Sequence, residues 1–151
     1  MSEAPEEAPA PAAAEDAEER LPARLGRYEL IRRLGAGASG VVYAARHRDR
    51  GETVALKTLH KLDPSALFRL KNEFRRVAHV NHPNVAALYE LASERGRWYM
   101  TMELVDGVDF VAYVRADPAR AAERARHALA QLADGLLALH RAGTLHRDIK
   151  A

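Results

Sequence analysis

The stretch LGAGASGVVY, residues 34 to 43, sets Gly35, Gly37 and Gly40 directly before a β-branched pair and a tyrosine. Glycines at this spacing let backbone N–H groups close over an anion with no Cβ in the way, which is the chemistry of a phosphate cradle. A cation and a carboxylate suited to the same task follow. Lys57 ends the run Val54-Ala55-Leu56-Lys57, so its ammonium leaves an apolar strand only partly solvated and needs an anionic partner. Glu73 falls within an apolar stripe at helical spacing, where an unpaired carboxylate costs on the order of several kcal/mol. Opposite charges about 4 Å apart attract by roughly 4 kcal/mol at an effective dielectric of about 20, so Lys57 and Glu73 are expected to meet inside a crevice. Each feature also has a plain structural reading: a glycine-rich hairpin, a strand lysine, an exposed helix glutamate.

Strands and helices must hold these groups in place. YELIRRL, GVVYAARHR and ETVALKTL are rich in β-branched and aromatic residues, with Asp49-Arg50-Gly51 as a turn between the last two. They predict an antiparallel three-stranded meander. Val41-Val42-Tyr43 opens a strand, so the glycines differ from those of a dinucleotide-binding unit, which end a strand and open a helix. Asp63-Pro64-Ser65 predicts a helix start, Ala66, Leu70, Val77 and Val80 share one face of that helix, and His82-Pro83-Asn84 is expected to stop it. VAALYELA and RWYMTMELV, joined by a Ser-Glu-Arg-Gly turn, complete a five-stranded sheet with one helix inserted after the third strand. Beyond Asp106-Gly107 the pattern turns helical. Leu129, Leu132, Leu136 and Leu139 form a second stripe, His140 and Arg141 occupy its last turn, and Gly143 is placed to cap it. The chain has no internal repeat.

Composition narrows the classes. Residues 1–22 are mostly Ala, Pro and Glu without aromatics or period, too apolar-poor to offset their ordering entropy, and predict a disordered tail. The first 20 residues hold seven acids, Glu3, Glu6, Glu7, Glu15, Asp16, Glu18 and Glu19, against Arg20, which leaves the rest of the chain at +8. That surplus suits a polyanionic partner, whether nucleic acid, an acidic protein or the phosphates of a nucleotide, and equally a solvated basic surface. With 151 residues there is room for about one domain, or for part of a larger one. No apolar run approaches the roughly 18 residues that span a bilayer, and the start lacks the basic and apolar regions of a secretion signal, so a cytoplasmic location is expected. The absence of cysteine excludes disulfides, thiolate metal sites and cysteine nucleophiles.

Gly35, Gly37 and Gly40 followed by Val42, then Val54-Ala55-Leu56-Lys57, then Glu73, His82-Pro83-Asn84 and finally His146-Arg147-Asp148-Ile149-Lys150 appear in the order of one family's motifs. From Arg27 onward the sequence resembles a protein kinase. The resemblance implies an α+β fold: a small lobe over residues 27–104, made of a five-stranded antiparallel sheet and one helix, then the hinge and first large-lobe helices over 105–151. It implies ATP as a ligand, with Leu34 and Val42 against the base, the loop residues Gly35, Ala36, Gly37, Ala38, Ser39 and Gly40 over the phosphates, and Ala55 in the same pocket. Lys57 would hold the α- and β-phosphates, paired with Glu73 when the helix is swung in. MTMELVDGVD resembles the hinge. There Met102 would be the gatekeeper, the Glu103 carbonyl and the Val105 backbone would bind the base, and Asp109 would lie near the ribose.

By the same resemblance Asp148 accepts and orients the substrate hydroxyl, and Lys150 balances charge on the moving phosphoryl group. Lys150 resembles the serine/threonine branch. His146 would pack under the loop and Arg147 would be available to a phosphorylated activation segment. Ser39 departs from the aromatic residue often found at the loop tip, which weakens the expected closure over phosphate. The family's magnesium-binding asparagine and Asp-Phe-Gly aspartate fall beyond Ala151, so no metal ligand is expected within the chain and magnesium would be held elsewhere. The expectation is thus a serine/threonine kinase present as an incomplete domain, inactive alone, with a protein substrate and no nucleic-acid partner. The Leu129 to Leu139 stripe would then be exposed. The alternatives are a non-catalytic nucleotide-binding or docking module and a truncated reading frame.

Overall fold

The computed structural model describes residues 23–37, 39–60, 62–147 and 149. The expected tail over residues 1–22 lies outside them, as do Ala38, Asp148 and Lys150.

The β-branched segments pair into one antiparallel sheet. Its strands are β1 (Arg24–Leu25), β2 (Tyr28–Gly37), β3 (Gly40–His47), β4 (Thr53–Thr58), β5 (Leu88–Glu94) and β6 (Arg97–Met102), in the order β1-β2-β3-β4-β6-β5. The five expected strands are joined by a sixth, β1, which sets Arg24 opposite Glu29 and Leu25 opposite Tyr28. Two residues are too few to display an alternation, so β1 has no sequence signature of its own.

Pairing register assigns the two faces of the sheet, because residues directly opposite on neighbouring strands point to the same side. Leu25, Tyr28, Ala45, Val54, Leu56 and Tyr99 form the buried core on one side. On the other, Val42 is opposite Lys57, Lys57 is opposite Met100, and Ala55 is opposite both Ala44 and Met102. The sheet also curls until its two edges meet. Glu94 on β5 accepts a hydrogen bond from the Gly26 amide at 2.8 Å, and Glu90 accepts one from the Tyr28 hydroxyl at 3.0 Å with Arg27 at 3.8 Å. Burial pushes the Tyr28 and Tyr99 phenols up in pKa, so both stay neutral within this closure.

Helix α1 (Pro64–Val77) is inserted between β4 and β5, as expected, and Asp63 caps it by accepting from the Ala66 amide at 2.8 Å. The helix ends sooner than its apolar stripe suggested. Val77 is its last residue, Val80 lies beyond it, and His82-Pro83-Asn84 forms a separate turn closed by a His82 to Val85 bridge. The hydroxyl of Ser65, together with the Ala66 amide, holds the Asp63 carboxyl below its ordinary range. A depressed carboxylate stabilises the fold above its unfolded pKa, and that stability is lost as pH falls through the lower folded value. Thermal unfolding of Asp63→Asn should therefore respond less to acidification below about pH 4 than the natural chain does. Parallel curves for the two proteins would contradict this.

Helix α2 (Phe110–Arg115) and helix α3 (Ala121–Arg141) follow the sheet, linked by a 3₁₀ turn at Pro118–Arg120. Gly143, at φ 72°, ends α3 as expected, with its amide bonded to the His140 carbonyl and the Thr144 amide bonded to that of Leu139. The leucine stripe is exposed at Leu129 and Leu132, whereas Leu139 is buried. Its far end therefore departs from the expectation of full exposure. Among the described residues no helix is long and apolar enough to cross a membrane.

Candidate functional site

Strands β2 and β3 meet in the glycine hairpin, where Gly35 is opposite Val42, Ala36 opposite Val41 and Gly37 opposite Gly40. Bulges around Ile31 and Leu34 break the ladder just before it and let the hairpin twist away from the sheet. The three glycines serve different ends. Gly40 sits at φ 141°, and a Cβ there would meet the Thr58 carbonyl oxygen at 1.7 Å, so only glycine fits between β3 and the end of β4. At Gly35 and Gly37 a Cβ would meet nothing within 4 Å, which leaves the space beside both free for an approaching group.

Below this hairpin lie Val42, Ala55, Lys57 and Met102 on their shared face, with Ala55 buried and the other three half-buried. The structure thus brings together four side chains that the sequence assigned to one pocket. Leu34 is partly exposed at the bulge. Past β6 the chain leaves the sheet: the Glu103 amide donates to the Ala87 carbonyl at 2.8 Å, and its carboxylate accepts from the Ala87 amide at 3.1 Å. Among the described residues, neither the Glu103 carbonyl nor the Val105 backbone takes part in a hydrogen bond, so an acceptor and a donor remain open at this edge. Asp109 has a structural duty that the sequence reading did not assign. It caps α2, with Oδ1 accepting from the Ala112 amide at 2.8 Å.

Lys57 and Glu73 do not pair. Glu73 lies on α1 with about half of its side chain exposed, and its carboxylate accepts from Arg147 Nη1 at 3.5 Å. This corrects the expectation of a buried carboxylate, because α1 buries none of its residues fully and its apolar face is only half covered. The two groups are linked only through a neighbour. Glu73 lines a cavity of about 430 Å³ with Leu70, Phe74, Val77, Met100 and His146, and Met100 is the cross-strand neighbour of Lys57.

The floor of that cavity joins the sheet region to α3. Gly135 on α3 lies under the His82-Pro83-Asn84 turn, where a Cβ would stand 2.6 Å from the Asn84 carbonyl oxygen. Sequence reasoning missed this contact, since a lone glycine in a helix signals only a propensity penalty. Alanine would gain up to about 1 kcal/mol of helix propensity there. The overlap with backbone costs about 1–3 kcal/mol and should prevail. Gly135→Ala is thus expected to lower the denaturation midpoint, and an unchanged or raised midpoint would refute the packing argument.

Comparison with known proteins decides the family. The family described as "Protein kinase domain" matches residues 28–151. The chain belongs to the protein kinase family. It is similar to the serine/threonine-protein kinase Pkn1 of Myxococcus xanthus, with 35% identity over 130 residues covering 84% of this chain and 18% of that protein. It is also similar to CBL-interacting protein kinase 4 of Oryza sativa subsp. japonica, with 37% identity over 132 residues, 83% of this chain and 29% of that protein. Among solved structures, the kinase domain of Mycobacterium tuberculosis PknI matches with a TM-score of 0.68 and 25% identity, covering 84% of this chain and 53% of that one. The chain therefore spans less than a third of these curated relatives and about half of the solved kinase domain. Its curled antiparallel sheet with α1 is the kinase small lobe, and α2 and α3 begin the large lobe.

Proposed function

We propose that this chain supplies the nucleotide-binding part of a serine/threonine protein kinase, which transfers phosphate from ATP to serine or threonine hydroxyls of a protein substrate in the cytoplasm. One observation carries the reading: the strand register gathers Val42, Ala55, Lys57 and Met102 beside a hairpin whose Gly35 and Gly37 leave free the space a side chain would fill. The residues suit ATP. Apolar Leu34, Val42, Ala55 and Met102 would enclose a base, and the open Glu103 carbonyl and Val105 backbone would bond its edge. The backbone of Gly35, Ala36, Gly37, Ala38, Ser39 and Gly40 would cover the phosphates, with the Lys57 ammonium on them. Asp109 has a second carboxylate oxygen to offer a ribose while it caps α2.

ATP supplies the phosphoryl group; the chain's own residues bind, orient and neutralise. Asp148 would orient the acceptor hydroxyl and take its proton, and Lys150 would stabilise charge on the transferred group, both by family resemblance. Magnesium is a different matter. Among the described residues there is no cluster of three or more His, Asp or Glu side chains that could hold a metal ion, and by the family resemblance its ligands would lie beyond residue 151.

The test has two arms. ATP should raise the melting temperature of the chain without added magnesium, and the whole protein should phosphorylate a generic serine/threonine substrate unless it carries Asp148→Asn. Absence of any ATP-dependent shift would overturn the nucleotide reading. Unaltered turnover by the Asp148→Asn protein would overturn the catalytic one, and binding without turnover would favour a docking module.

A further inference from the structure

At the base of the glycine hairpin, strand β3 parts from β4. Their ladder ends at Val42 opposite Lys57, and the next rung would pair Val41 with Thr58. There the Thr58 side chain adds to the pairing: the Val41 amide donates to Thr58 Oγ1 at 3.3 Å, and Thr58 Oγ1 donates to the Val41 carbonyl at 3.2 Å. One hydroxyl serves as both donor and acceptor for a single residue's backbone and so adds a side-chain tie between β3 and β4.

Meanwhile Thr58 stays fixed from the other side. Its backbone is opposite Tyr99 on β6, and the Leu59 amide continues the pairing to the Trp98 carbonyl at 2.9 Å. The Thr58 carbonyl also abuts Gly40, the point where a Cβ is excluded. Thr58 therefore touches the returning limb of the hairpin through its carbonyl and through its hydroxyl, at the residue next to Lys57.

We propose that Thr58 is a positioning residue for the nucleotide: its hydroxyl ties the returning limb of the glycine hairpin to the end of β4, which sets the height of the hairpin backbone above the Lys57 ammonium. Without the hydroxyl, that limb would be freer to lift. The proposal rests on the nucleotide reading of this site.

The test is the affinity of the full chain for ATP, measured by titration calorimetry for Thr58→Val, Thr58→Ser and Lys57→Ala. Valine keeps the branched shape and removes the hydroxyl, so the dissociation constant should rise by about three- to tenfold. Serine keeps the hydroxyl and should bind like the natural chain. Equal affinity for Thr58→Val and the natural chain, or equal weakening in both Thr58 variants, overturns the positioning role when Lys57→Ala still weakens binding. If Lys57→Ala binds as well as the natural chain, the nucleotide reading itself fails. Hydrogen exchange gives a measurement that needs no variant: the Val41 amide should be protected in the natural chain, and exchange as fast as in an open loop would overturn the proposal.

Discussion

Gly40→Ala should unfold the sheet region at a temperature roughly 10 °C below that of the natural chain, from a loss of about 3 kcal/mol. Two penalties combine: φ at this position is 141°, which L side chains rarely adopt, and the new Cβ would overlap the Thr58 carbonyl oxygen at 1.7 Å. Neither partner is the free end of a side chain, so relief requires β3 to move off β4 and the hairpin to be rebuilt. Gly35→Ala and Gly37→Ala provide the contrast. A Cβ at either meets no protein atom within 4 Å, and alanine there should leave the melting temperature nearly unchanged or raise it by the entropy it removes from the unfolded chain. Both should nevertheless weaken ATP binding, because the added methyl would intrude where the phosphates approach. Stability loss confined to position 40 with affinity loss at all three would support a hairpin in which one glycine serves the fold and two serve the ligand. Full ATP affinity in Gly35→Ala and Gly37→Ala would remove the ligand half of that argument.

The contrast also explains what could be read before any coordinates. The glycine hairpin, the lysine strand and the α1 cap at Asp63 are local features, written in turn residues, alternation and a capping side chain, and they stand where the sequence set them. The shared face of Val42, Ala55, Lys57 and Met102 follows from pairing in register, which alternating strands specify strongly. What was not legible depends on how separate elements lean on each other. Asp109 reads as a neighbour of the ribose by resemblance, and its cap on α2 goes unread because a six-residue helix has little signature of its own. Gly135 reads as a blemish in a helix until the Asn84 carbonyl is laid against it. Glu73 carries the same difficulty: helix phase gives the side of α1 it occupies but not the distance of α1 from the sheet.

That distance makes Lys57 the second large effect. In the structure Lys57 forms no ion pair among the described residues, while Glu73 faces Arg147 at 3.5 Å with both side chains about half or more exposed. Lys57→Ala should therefore leave the unliganded fold nearly as stable as before, yet weaken ATP binding by at least about tenfold, since a half-buried ammonium is removed from the phosphates. The two partners of Glu73 can be separated by double-mutant cycles. Without nucleotide, the Lys57–Glu73 coupling should be close to zero and the Glu73–Arg147 coupling about 0–1 kcal/mol, as exposed ion pairs give. So weak a contact is easily surrendered. With ATP bound, the Lys57 ammonium sits in a drier setting where its charge is felt more strongly, and Glu73, which lines the cavity beside Met100, the cross-strand neighbour of Lys57, is expected to swing toward it. The coupling should then transfer, rising for Lys57–Glu73 and falling for Glu73–Arg147. A Lys57–Glu73 coupling already large in the unliganded chain would contradict the geometry described, and one that stays at zero with ATP bound would leave Lys57 acting on the phosphates alone.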